Sequence, residues 1–417
     1  MAFLSLLDER LKPKGSRDPL GFEQVWTKFG REVVGNLTTI TNSLENFAAA
    51  LLGFHWANEL NQGLNENDKH MIISSTFLKY EQLSAYLRYQ GDSTSIMGIT
   101  RVKSRVDDKS QMTFNLGTSS KETILSDQVG YGLWGFYSSA SRDSGLIHGN
   151  ERELTSKGLQ IVQLIESKLD KPRLIKLIQL SSVTRSEIER LSSQYLAAIN
   201  DHEVASQLIL ALMHGGTNSD NAENLQYELW QKTQQLVSEQ GIESINSKHL
   251  GDFFKKLKSL GLSDRLNHKL TDIVKVEQVL VALNHVFHYC RINDGKHIEE
   301  INQNLLNQGY HFNYLPDQLP TLEVQNKDRI QQALNSLREY DFKSVIYKVA
   351  ELNKKVMADR QGAPWIEVDS KKNIKVRMKR EKFKLFKQEI LLKHWDYDYF
   401  IGSFLVISKN YLGAKNG

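Results

Sequence analysis

The chain has 417 residues, with 53 Lys and Arg against 49 Asp and Glu, 40% hydrophobic residues and a single cysteine, Cys290. That length suffices for two or three domains with their own cores. A net charge of +4 is too small by itself to mark a nucleic-acid binder, and one thiol excludes an intrachain disulfide framework and any multi-cysteine zinc site.

The lone cysteine fits a reducing cytoplasm, which is the expected location. No apolar run approaches the roughly 18 residues of a membrane span, and the short apolar run in MAFLSLLDERLKPKG does not make a signal peptide. Six prolines in 417 residues, with abundant Leu, Gln, Asn, Lys and Glu, predict long helices and a mainly α fold.

In chain order, Met1–Leu11 reads as a short amphipathic helix ended by Pro13 and Gly15. A second helix carries Phe22, Val25, Trp26, Phe29, Val33 and Val34 on one face, a third runs from Leu44 to Trp56, and a fourth from Met71 to Leu87. Their aromatic faces predict a packed helical bundle. Helical periodicity then lapses from Gly91 to Gly117. Ile99, Arg101, Lys103 and Arg105 alternate with smaller residues, which predicts a hairpin with a basic, phosphate-contacting face. Asp107 and Asp108 offset half of that charge, so a solvated surface excursion is the competing reading.

From Thr123 to Glu166 the order of residues specifies a small architecture. A helical run containing Leu133, Trp134 and Tyr137 ends at Ser144-Gly145. Leu146-Ile147 and Glu153-Leu154 flank the turn His148-Gly149-Asn150, and Thr155 caps a new helix. Helix, hairpin, helix resembles the winged-helix pattern, in which a helix ends in GLI, a two-stranded wing follows and LT.KG opens the next helix. The matching residues are Gly145, Leu146, Ile147, Leu154, Thr155, Lys157 and Gly158. The helix ahead of the wing offers Tyr and Ser with one cation, Arg142, which is poor in the side chains that read base edges. The unit therefore also suits a protein partner.

From residue 171 to 360 the sequence predicts an extended helical array, with members at 171–181, 184–200, 201–214, 221–240, 247–260, 271–291, 296–308, 326–338 and 341–360. Thr184 with Glu187 makes a capping-box pattern, and Gly215-Gly216, Gly241 and Gly261 are natural stops. No fixed period of repeat length emerges.

The last stretch changes character. Gly362, Pro364 and Trp365 break the helices. Residues 365–369 and 374–378 alternate around the turn 370–373 as a β-hairpin, and a final amphipathic helix is predicted at about 397–411. Between Lys371 and Lys393 there are ten Lys or Arg against two Glu, a local excess larger than that of the whole chain. The expected organisation is a helical bundle with a basic loop over 1–117, a winged-helix-like module over 118–170, the array over 171–360, and the basic hairpin with its C-terminal helix over 361–417. The fold class is mainly α, a multi-helical array with an embedded winged-helix-like module and a C-terminal β-hairpin plus helix.

Catalytic patterns are sparse. Gly117-Thr118-Ser119-Ser120-Lys121 lacks the first glycine and the Gly-Lys-Ser/Thr end of a phosphate-cradling loop, and neither G-x-G-x-x-G nor G-x-S-x-G occurs. His285, His288, Cys290 and His297 form the one zinc candidate, but 285 and 288 share a helix face that 290 does not. A nuclease of the PD-(D/E)xK kind needs two acids and a lysine around a metal. Asp359, Glu367, Asp369 and Lys371 supply the residue types, although Asp369 falls in a turn. No catalytic residue, metal or cofactor is assigned.

Two readings follow. The first is a non-catalytic, DNA-associated adaptor. Its polyanion contacts are Lys371, Lys372, Lys375, Arg377, Lys379, Arg380, Lys382, Lys384 and Lys387, with Arg101, Lys103, Arg105 and Arg142 in support. The second is a divergent metal-dependent nuclease centred on Asp369-Lys371. The segments LLDERLKPKGSRDPLGFEQVWTKFGREVVGNLTTIT, YGLWGFYSSASRDSGLI through LTSKG, GAPWIEVD and YDYFIGSFLVIS resemble uncharacterised accessory proteins of bacterial anti-phage defence islands, encoded alongside ATPases, helicases or nucleases. That resemblance implies an accessory subunit with such proteins as partners.

Overall fold

A computed structural model describes residues 12–63, 66–215, 224–247, 250–321 and 326–416. The helix expected over Met1–Leu11 lies outside them. The described residues are mainly helical, with three two-stranded antiparallel sheets, and none of their helices is long and apolar enough to cross a membrane. The chain divides into two compact units, Val34–Ser247 with Phe400–Gly417, and Met1–Val33 with Lys248–Tyr399.

The first unit is built around the helix Leu44–Glu59, which opens with the Ser43 hydroxyl accepting from the Asn46 amide. Its sequence, LENFAAALLGFHWANE, is apolar on nearly every side, so it has to be wrapped on nearly every side. The helices Glu66–Gln90, Leu133–Asp143, Ser156–Glu166 and His202–Met213 do this. Aromatic rings fill the seams: Phe54 stacks on Phe77 at 4.9 Å, and Trp56 meets Tyr80 edge-on at 5.6 Å. Gly53 leaves the space that the Tyr80 ring occupies.

Residues 95–115 do not form the expected basic hairpin. Ile99–Asp107 is a helix that buries Val102 and Val106 one turn apart, and the strand Thr113–Asn115 pairs instead with Ser182–Thr184. In so short a helix the spacing of two valines is outweighed by the visible alternation of Ile99, Arg101, Lys103 and Arg105. The capping box on the helix Arg185–Ile199 forms as expected, with Thr184 and Glu187 exchanging hydrogen bonds.

The helix–hairpin–helix unit has the expected order. The helix Leu133–Asp143 closes at Gly145, whose φ of 69° lets the amides of Gly145 and Leu146 bond back to the carbonyls of Arg142 and Ser141. Ile147–His148 pairs with Glu153–Leu154, and Thr155 caps the helix Ser156–Glu166 through the Gly158 amide. The turn folds back on its own unit, since Asn58 donates to the Glu151 carbonyl and the Arg152 guanidinium lies 3.7 Å from the centre of the Trp134 ring.

A Cβ on Gly158 would drive into the Leu146 carbonyl oxygen, which also accepts the Thr155 amide. Gly158→Ala is therefore expected to destabilise this unit by about 1–3 kcal/mol, the cost of overpacking a rigid backbone contact. Urea denaturation of the variant measures it. A midpoint equal to the parent's would show that the hairpin can move away.

The second unit is organised on the 27-residue helix Asp264–Cys290, which Ser263 caps. It starts earlier than the expected 271. Around it pack Glu23–Arg31, Leu250–Ser259 and Phe342–Asp359. The hairpin Ile366–Val368 with Ile374–Val376 forms in the register Ile366↔Val376. It is anchored by Asn353, 0% exposed, whose side-chain oxygen accepts the Trp365 and Ile366 amides. The final helix of the chain is Ile401–Asn416. Tyr399 and Phe400 take φ values of 53° and 62°, which prevent it from reaching back to residue 397.

Candidate polyanion interface

After the hairpin, the basic residues were expected to continue on a helix. They do not: apart from the turn Gln388–Leu391, residues 377–393 form an irregular strap. A helix would stack Arg380 on Lys384, Lys379 on Lys382 and Lys384 on Lys387, and like charges at these spacings repel.

The strap is nevertheless held firmly within its unit. Arg291 donates to the carbonyls of Met378 (3.0 Å) and Lys379 (3.3 Å) while its guanidinium lies over the Trp365 ring at 4.5 Å. The Tyr310 hydroxyl donates to the Phe386 carbonyl at 2.6 Å, and the Phe386 amide donates to His285 Nε2 at 3.3 Å. Phe383 and Phe386 both lie against the His285 ring. Phe383, Phe386 and the bonded backbone groups thus face inward, and Lys382, Lys384 and Lys387 are left outside.

Lys371, Lys372 and Lys375 are exposed on the hairpin. Arg377 is paired with Glu367 at 2.6 Å, and Lys379 with Asp294 at 3.0 Å. Arg380 lies over the Phe383 ring at 4.9 Å. Lys382, Lys384 and Lys387 are exposed and form no ion pair among the described residues. The remaining candidates belong to the other unit. Arg101 and Lys103 are exposed there. Arg105 donates to the Tyr86 hydroxyl and to the carbonyls of Lys121, Glu122 and Thr123, so it organises a loop. Arg142 donates to the Gly149 carbonyl at the hairpin turn.

The zinc candidates do not converge. His297 caps the helix Ile298–Leu306 with its imidazole. Cys290 is buried, and burial pushes its thiol up to about 12, away from the thiolate a metal needs. His285 and His288 instead line a cavity of about 70 Å³ with Arg380, Phe383, His394 and Asp396. Burial lowers His285 to about 4, and burial with the Arg380 and Arg291 charges lowers His288 to about 3, so both are neutral at physiological pH.

The nuclease constellation is also engaged elsewhere. Asp369 accepts the amides of Lys371 and Asn373 in its own turn, Glu367 holds Arg377, and Asp359 ends a separate helix. In the other unit, His55, Glu59 and Glu166 bring their ligand atoms within 4.8 Å of one another. Lys171 already bridges the two carboxylates at 2.8 Å each, and Trp56 donates to Glu166 at 2.6 Å. A divalent ion would have to displace that lysine.

One feature of the strap's unit has no counterpart in the sequence patterns. A cleft of about 880 Å³ is lined by the helices Leu250–Ser259 and Asp264–Cys290 and by residues 389–395, and it includes Lys255, Lys258, Lys393 and Trp395. These residues come from separate stretches of chain without a shared motif.

Compared with protein-family models, curated proteins and solved structures, the chain matches none.

Proposed function

We propose that the chain is a non-catalytic, DNA-associated adaptor of a multi-protein antiviral defence system, with the Lys371–Lys393 stretch as its polyanion contact. The observation that supports this most is the strap itself. Its backbone is tied down by Arg291, Tyr310 and His285, while Lys382, Lys384 and Lys387 remain exposed and unpaired among the described residues. Cations on a fixed backbone lose little freedom when phosphates replace their counterions. Assignment to a defence system, with ATPase, helicase or nuclease subunits as partners, rests on the resemblance of the quoted segments.

The test is the salt dependence of binding to duplexes of unrelated sequence, read by fluorescence anisotropy between about 50 and 200 mM salt. Reversing Lys382, Lys384 and Lys387 to Glu is expected to weaken every duplex alike and to flatten the log–log slope by up to about 2.7, at roughly 0.9 per lost phosphate contact. If affinity and slope stay at the parent's values while a protein partner is lost, the strap is an assembly surface and the DNA reading fails.

A further inference from the structure

We infer that the 880 Å³ cleft is a binding site for single-stranded nucleic acid, in which an unpaired base stacks on Trp395 and flanking phosphates meet Lys255, Lys258 and Lys393. This rests on the polyanion reading of the strap and adds to it the form of nucleic acid that is bound.

Three features carry the inference. The first is a positioned aromatic. Trp395 is half-buried, held edge-to-face by Phe254 at 5.6 Å and by Tyr399 at 6.1 Å, and it lines the cleft. A Cβ on Gly251 would sit 3.2 Å from the indole nitrogen, so a glycine in the helix Leu250–Ser259 is what lets the ring approach so closely. An indole fixed in this way makes a stacking platform that loses little entropy on binding.

The second is charge. Lys255, Lys258 and Lys393 are all exposed at the cleft. Among the described residues Lys255 has only a 3.8 Å surface pair with Asp252, and Lys258 donates to the Thr271 hydroxyl at 2.9 Å. Asp252 and Glu389 are the exposed acids. Glu277, the remaining acid of the lining, is directed into the amides of Asp396 and Tyr397 and the Tyr399 hydroxyl, away from an incoming phosphate.

The third is continuity. Glu389, Ile390, Leu392 and Lys393 of the cleft come within six residues after Lys387 in the chain, so a backbone tracked by the strap lysines continues toward the cleft. Ile390, 51% exposed, and Leu392, 37% exposed, add apolar surface suited to bases and riboses. A duplex keeps its base faces stacked inside and offers none to Trp395, which is why the site selects unpaired strands.

The experiment compares a dT oligomer, an abasic phosphodiester of equal length and a duplex, using the full chain. The parent is expected to prefer dT over the abasic strand by about 5- to 150-fold, the range for stacking one base. Trp395→Leu should bring dT down to the abasic level and leave duplex binding unchanged, which also serves as the folding control. Trp395→Phe should retain most of the preference. Equal affinity of the parent for dT and the abasic strand overturns the inference without any variant, as does a full dT preference in Trp395→Leu. Either result leaves the adaptor reading standing if the strap reversal still weakens all three ligands. If that reversal weakens none of them, the adaptor reading fails, and a dT preference that still responds to Trp395→Leu would then leave the cleft as a site independent of the strap.

Discussion

Arg88→Ala is expected to lower the stability of the Val34–Ser247 unit by about 3–5 kcal/mol, the range for removing one partner of a buried ion pair. Arg88 is 1% exposed near the end of the helix Glu66–Gln90. Its Nε donates to Glu45 at 2.6 Å, and its Nη2 donates to the Asn46 side-chain oxygen at 2.5 Å and to the Ser95 carbonyl at 2.6 Å. Glu45 in turn accepts from Ser93 and Asn200, and Asn46 donates to the Tyr137 hydroxyl. One guanidinium thus ties the first turn of the central helix to the loop after its neighbour. Without it the Glu45 carboxylate, 13% exposed in its side chain, is left inside with no cation.

Arg88→Lys restores the charge but not the planar fork, so it is expected to recover only part of the loss. Replacing Arg88 and Glu45 together by Met is expected to cost less than Arg88→Ala alone, because no charge then stays buried. Urea denaturation at constant m-value measures all three. A cost below about 1 kcal/mol for Arg88→Ala would mean that the network is dispensable.

The second large effect is a pH dependence of the unit containing Lys248–Tyr399. Burial pushes the Glu277 carboxyl up to about 8 from 4.5, with the nearby Asp396 charge adding to the rise and hydrogen bonds from the Asp396, Tyr397 and Tyr399 groups opposing it. Between pH 4.5 and 8 the folded form keeps a proton that the unfolded form has released, so stability falls as pH rises through that window. His285 and His288 act in the opposite direction. Their folded values, about 4 and about 3, lie below 6.5, so the unfolded form binds the extra protons and stability rises with pH up to 6.5.

Two imidazoles outweigh one carboxyl below 6.5, and the carboxyl acts alone above it. Maximum stability near pH 6.5 is expected, followed by a fall of about 2 kcal/mol by pH 8. Glu277→Gln mimics the protonated carboxyl and should abolish the alkaline fall while keeping the acid limb. Thermal midpoints measured from pH 5.5 to 8.5, compared between parent and variant, check this. An unchanged alkaline limb in the variant would assign the effect to another group. Comparison with the variant also removes the contribution of Glu81 in the other unit, which burial raises to about 7.

The sequence by itself determined what depends on neighbours within a few residues. Thr184 with Glu187, Thr155 as a cap, Gly145 as a helix stop and the alternation around residues 370–373 all rest on hydrogen bonds closed locally, so residue type and spacing specify them. Long helices were legible for the same reason, since a repeating apolar face needs only the helical period. Only the tertiary structure decided the rest. The pairing of Thr113–Asn115 with Ser182–Thr184 joins distant segments, and no short-range signal chooses between such partners. Repulsion among the strap's own cations disfavours a helix there, but the conformation it takes instead is set by Phe383 and Phe386 packing on His285, a residue about a hundred positions earlier. Lys255, Lys258 and Trp395 carry no motif because their meeting depends on how two helices and a returning irregular segment pack, and side-chain burial sets that geometry only once the core has closed.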